Sequence, residues 1–98
     1  MSEQQAIEVV IFKGVDGVTP EQMRAAAHKV APRLQALAGF VSRSFGIGAD
    51  GRYVDIVHWQ DMASAQGAAK EVMDCPQCRE FFALIAPESV QMMHFQAG

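Results

Sequence analysis

Tyr53-Val54-Asp55-Ile56-Val57-His58-Trp59-Gln60-Asp61 decides how this chain folds. Residues 53–59 are β-branched or aromatic at most positions and read as a strand. Asp61 stands where a helix N-cap belongs, so the strand is expected to run straight into a helix. The segment holds the only Trp and the only Tyr of the chain. Alternation by two puts Tyr53, Asp55, Val57 and Trp59 on one face and Val54, Ile56 and His58 on the other.

Upstream, residues 48–51 (Gly-Ala-Asp-Gly) carry hairpin chemistry, with Asp50-Gly51 as the turn. They join that strand to another at residues 40–47, with Val41, Arg43, Phe45 and Ile47 on one face and Phe40, Ser42, Ser44 and Gly46 on the other. Before it, Thr19-Pro20-Glu21-Gln22 opens a helix: Thr19 suits the N-cap, Pro20 the first turn and Gln22 the third position of a capping box. Met23, Ala27, Val30, Leu34 and Leu37 follow at helical spacing as its buried stripe. Pro32 removes a backbone donor and is expected to kink or divide the helix near Val30. Gly39 suits the residue just past its C-terminus. Residues 6–12 (AIEVVIF) are apolar on both parities apart from Glu8 and read as a central strand covered on both sides.

Downstream, an alanine-rich helix is expected over residues 62–73 and a short helix from Pro76 to about Ile85. A last strand follows at residues 89–95. The order β-α-β-β-α-α-β is a split βαβ pattern, which predicts an α+β fold with one antiparallel sheet and helices on one face. Val9, Ile11, Val54, Ile56, Val90 and Met92 are expected on the opposite face and are apolar. In a chain of 98 residues, one domain by length, that face predicts a cover supplied by a second copy, hence a homodimer through the sheet.

Composition narrows the function classes. Half of the residues are apolar, 19% are charged and the net charge is −3, with no Lys/Arg cluster, so a nucleic-acid footprint is not expected. No apolar run reaches the roughly 20 residues of a membrane helix, and the polar stretch Met1–Gln5 does not read as a signal peptide. A cytoplasmic protein without membrane or nucleic-acid partners is the expectation.

Gly39-Phe40, the run Val57-His58-Trp59-Gln60-Asp61-Met62, the short helix at residues 76–82 and the closing Ser89-Val90-Gln91-Met92-Met93-His94-Phe95 together resemble the dimeric α/β-barrel superfamily of ferredoxin-like proteins. The likeness is to the antibiotic-biosynthesis-monooxygenase type. Val9–Lys13 and Asp16–Gln22 also resemble its stress-responsive branch. The resemblance implies two sheets packed across a dimer and a pocket in each subunit between sheet and helices. It further implies cofactor-independent oxygenation of an aromatic or quinol-like small molecule, or else a non-catalytic ligand-binding or stress-responsive dimer. The haem-degrading pattern of the superfamily is not matched, because the first strand has no Asn and residues 79–85 have no His.

The residues allow that chemistry without compelling it. Asp55 is a candidate general base if burial raises its pKa, or it pairs with Arg43 across the hairpin. Trp59 and Tyr53 are candidate walls of an aromatic pocket, or plain core. His58 is a candidate catalytic acid or base and His94 a pocket residue, each alternatively a hydrogen-bonded structural histidine. Cys75-Pro76-Gln77-Cys78 at a helix start suits thiol redox chemistry, or is a helix start with a buried thiol. No second such pair exists to build a four-ligand metal site, and no metal or cofactor is expected.

Overall fold

The computed structural model describes residues 4–98, so residues 1–3 of the polar start lie outside the described part. The elements are β1 (Ala6–Lys13), α1 (Pro20–Gln35), β2 (Phe40–Ile47), β3 (Arg52–Trp59), α2 (Met62–Glu71), α3 (Pro76–Ala83) and β4 (Gln91–Gln96). A 3-10 turn at Val72–Asp74 links α2 to α3, and another at Pro87–Ser89 leads into β4. The strands form one open sheet in the order β2-β3-β1-β4, antiparallel throughout, with β2 and β4 as its edges. The α+β layout and element order are those expected from the sequence.

Both main helix starts are set by short-range chemistry. The Thr19 hydroxyl accepts the Gln22 N–H at 3.1 Å while the Gln22 side chain accepts the Thr19 N–H at 2.9 Å, a complete capping box. Asp61 caps α2 by accepting the Ser64 N–H at 2.7 Å. The stripe Met23, Ala27, Val30 and Leu34 of α1 is buried, as are Ala65 and Ala68 of α2 and Cys78 and Phe81 of α3. These cover the sheet face formed by Tyr53, Asp55, Val57 and Trp59, all buried.

Several local expectations are corrected. Pro32 does not divide α1, which runs unbroken through it. It lies in the last turn, so only one backbone bond is forfeited before the helix ends. Gly39 is not the residue directly past the helix; Ala36 caps it in right-handed geometry, and Gly39 turns the chain three residues later at φ +85°. The end of the second predicted helix is the 3-10 turn at Val72–Asp74, and α3 stops at Ala83 rather than Ile85. In β2 a register shift between Phe40 and Ser42 brings Phe40 onto the face of Arg43, Phe45 and Ile47 and leaves Val41 exposed.

β4 also reads differently in space. Its register with β1 sets Met92 opposite Val10 and His94 opposite Glu8, so Val90, Met92 and His94 belong to the helix side. The open face is made of Ile7, Val9 and Ile11, Val54, Ile56 and His58, then Gln91, Met93 and Phe95, with Ser42, Ser44 and Gly46 at its margin. It is apolar through the middle, and Lys13 and Arg52, paired with each other at the end of β1 and the start of β3, place its charges at one edge.

Gly39 provides a test of the turn that joins α1 to β2. A Cβ there would collide with the Ser64 Cβ and Oγ on α2, and the backbone sits in the left-handed region. Gly51 has φ +84° and open space around it. Gly51→Ala is expected to lower stability by about 1–2 kcal/mol, the cost of the left-handed backbone. Gly39→Ala should lower it by more, because the collision adds to that cost. Urea denaturation followed by circular dichroism measures both.

Candidate functional site

β1 and β3 lie side by side at the centre of the sheet, and their helix-facing residues form the floor of a cavity of about 410 Å³. The floor is Glu8, Val10, Asp55, Val57 and Trp59, with Arg43 entering from β2. Val30 and Leu34 of α1, Ala68 and Ala69 of α2, and Cys78, Phe81 and Phe82 of α3 supply the walls. Val90 and Met92 complete it from the β4 side. The walls are apolar and the polar groups converge on the floor, the usual make-up of a small-molecule site.

Two polar contacts organise that floor. Arg43 Nε donates to Asp55 Oδ1 at 2.7 Å and its Nη2 donates to Asp55 Oδ2, a bidentate ion pair across the β2–β3 hairpin. The remaining terminal nitrogen of Arg43 donates to the Ala27 carbonyl of α1 at 2.7 Å, and its guanidinium carbon lies 5.9 Å from the centre of the Phe81 ring. Asp55 is only 8% exposed, so both of its oxygens are engaged away from bulk water. The second contact crosses β1 and β3: the Trp59 indole N–H donates to Glu8 Oε1 at 3.0 Å. Trp59 is fully buried, and Phe40 packs edge-on against its ring at 5.9 Å. The other Glu8 oxygen has no protein hydrogen bond among the described residues.

The five residues singled out in the sequence are thus divided. Asp55 and Trp59 meet on the cavity floor. Tyr53 lies one position beyond them on the same face, stacked between Phe12 at 5.6 Å and Phe45 at 6.1 Å, in the core rather than the cavity lining. His58 is on the open face, next to Ile7 and Ser42 and across the sheet from the cavity. His94 is on the cavity side of β4 opposite Glu8, exposed, and outside the lining. Glu8 and Arg43 are the floor residues that the sequence did not single out as reactive. The signal for Glu8 was its place as the one charge in an otherwise apolar strand.

Cys78 lines the cavity and Cys75 caps α3 directly beside it; both are free thiols. Among the described residues no group of three or more His, Cys, Asp or Glu is placed to hold a metal ion, and no helix is long and apolar enough to cross a membrane. A larger open groove of about 810 Å³ runs along Lys13–Asp16 and Ala86–Ser89. Its lining is turn backbone and exposed charges, with no convergent reactive set.

No protein-family profile and no curated protein sequence matches the chain. Solved structures do. SnoaB, a cofactor-independent oxygenase from Streptomyces nogalater, superposes with a TM-score of 0.80 over 97% of this chain and 94% of its own, at 20% identity. A Bordetella bronchiseptica protein, provisionally described as an antibiotic biosynthesis monooxygenase, gives 0.81 over 98% and 99% at 16% identity. A dimeric ferredoxin-like protein of unknown function from Thermobifida fusca gives 0.71 over 97% and 92% at 14% identity. The fold is ferredoxin-like. It is the fold of these solved structures, and in this chain the single sheet is open.

The Arg43–Asp55 pair makes a clear energetic prediction. Arg43→Met is expected to destabilise the protein by about 3–5 kcal/mol, because Asp55 is left as an uncompensated buried charge. Combining it with Asp55→Leu should recover most of that loss. Urea denaturation of both singles and the double, read as a double-mutant cycle, measures the coupling.

Proposed function

We propose that the cavity binds a flat, hydroxylated aromatic small molecule and that the protein oxygenates it without a cofactor, acting as a homodimer. The observation that carries this reading is a cavity of about 410 Å³ with apolar walls and two carboxylates, an arginine and an indole on its floor. Flat aromatic ligands fit such walls, and the polar groups at one end supply orientation. SnoaB, a cofactor-independent oxygenase with the same fold, supports the choice of reaction.

In this scheme a carboxylate removes a proton from the bound phenol or quinol, and the electron-rich anion then reacts with dioxygen. Of the two sequence candidates, Asp55 sits in the cavity but holds Arg43 through both oxygens. His58 faces away from it. Glu8 is the better-placed acceptor, since one of its oxygens accepts only the Trp59 indole and the other is free of protein partners among the described residues. Asp55 then serves to hold Arg43 in the floor. Trp59 holds Glu8 in position through its indole N–H.

The dimer reading rests on the open sheet face. Ile7, Val9, Ile11, Val54 and Ile56 form an uncharged strip that no element among the described residues covers. The Thermobifida fusca protein with this fold is described as dimeric. A second copy packed there buries both strips and encloses His58.

Oxygen uptake with a panel of hydroxylated naphthalenes and anthracenes tests the reaction. Glu8→Gln is expected to reduce kcat by about 100-fold or more, the usual contribution of a positioned base, while His58→Gln leaves it unchanged. Panel members that raise the melting temperature with no oxygen uptake by the wild type would instead identify a non-catalytic binding dimer. Sedimentation equilibrium tests the assembly: a dimer is expected for the wild type, and Ile56→Asp should shift it to monomer.

A further inference from the structure

The Cys75-Pro76-Gln77-Cys78 stretch is unused by the oxygenase reading, yet its placement is specific. Cys75 is the N-cap of α3, in extended geometry at φ −93° and ψ 120°, and Pro76 and Gln77 form the first helical positions. Cys78 sits one turn on, and its N–H donates to the Cys75 sulfur at 3.3 Å. A backbone donor thus points at the very atom that becomes negative when Cys75 ionises. Residues three apart at a helix start are neighbours on one face, and a disulfide closes between Cα atoms about 4.4–6.8 Å apart. Both thiols are free, Cys75 being 4% exposed and Cys78 0%.

We propose that Cys75 and Cys78 are a reversible dithiol–disulfide pair that reacts with small-molecule disulfides, Cys75 as the attacking thiol and Cys78 as the resolving one. The two environments are correspondingly unequal. The Cys78 side chain and backbone N–H hold the Cys75 thiol below its ordinary range. Burial, together with the neighbouring Cys75, pushes the Cys78 thiol up to about 12. Arg33 of α1 places positive charge near both. Cys75 is therefore the readier thiolate, and Cys78 holds its proton until the second step.

The exchange balances without a cofactor. The Cys75 thiolate attacks one sulfur of the small disulfide; a new S–S bond forms, the old one breaks, and one thiol leaves after taking up a proton. Cys78 then gives up its proton and attacks the Cys75 sulfur, displacing the second thiol. The protein dithiol is oxidised by two electrons and the small disulfide is reduced to two thiols. Because Cys78 lines the cavity with Phe81 and Phe82, closing the disulfide moves the side chain of a wall residue towards the helix start. The redox state and the shape of the cavity are thereby linked.

Glutathione buffers of graded oxidised-to-reduced ratio test the pair on the folded wild type, with intact mass after acid quench and alkylation as the readout. The expected result is loss of both alkylatable thiols together, with no glutathione retained. Cys78→Ala is expected to accumulate one glutathione on Cys75, and Cys75→Ala to stay unmodified over the same interval. Circular dichroism confirms that each variant is folded. The proposal is overturned if the folded wild type keeps two free thiols at the most oxidising ratio. It is equally overturned if Cys75→Ala takes up glutathione on Cys78 as fast as Cys78→Ala does on Cys75.

Discussion

The guanidinium of Arg43 is the point through which three parts of the structure are tied. It closes the β2–β3 hairpin through Asp55, reaches α1 through the Ala27 carbonyl, and lies against the Phe81 ring of α3. A buried ion pair is a poor source of net stability, since desolvating two charges offsets most of their attraction. Its value lies in what it excludes. With all three guanidinium nitrogens of Arg43 engaged, β2 cannot slip by a residue along β3 without stranding a charge, and α1 cannot drift along the sheet without losing its anchor. Register in a sheet this apolar on both faces is otherwise weakly specified, because each parity presents a similar hydrophobic set.

That same pair shapes the chemistry of the floor. Asp55 and Arg43 neutralise each other, leaving Glu8 as the carboxylate not engaged by a cation. Glu8 is in turn held by the indole of Trp59 on the neighbouring strand. A carboxylate fixed through one oxygen and unengaged at the other is positioned without being neutralised. The arrangement sets two acids a strand apart with different partners, one a guanidinium and the other an indole N–H.

Much of this was legible in the sequence, and the reasons are local. Thr19-Pro20-Glu21-Gln22 and Asp61 announce helix starts by contacts no more than three residues long, and Tyr53–Trp59 announces a strand by its branched and aromatic side chains. The Arg43–Asp55 alternative was readable because a hairpin fixes which residues can face one another. What depended on long-range register was not readable. Glu8 meets Trp59 only because β1 pairs with β3, strands 51 residues apart at that contact. The parity of β4 was assigned to the open face, whereas its pairing with β1 turns Val90, Met92 and His94 to the helix side. The bulge near Val41 inserts one residue and thereby moves Phe40 to the other face, a shift invisible to strict alternation. Pro32 misled for a related reason: its effect depends on how many turns of helix remain after it.

Trp59 is the sole tryptophan of the chain, and it forms part of the cavity floor with its N–H on a carboxylate. Its light emission therefore reports on one place only. The emission energy of an indole follows the polarity and mobility of the dipoles around it, so filling the cavity with an apolar molecule or admitting water changes the colour of that emission. An electron-rich or quinone-like ring bound beside it quenches the signal. The fold thus carries one optical probe at that cavity, with no second indole elsewhere to dilute what it reports.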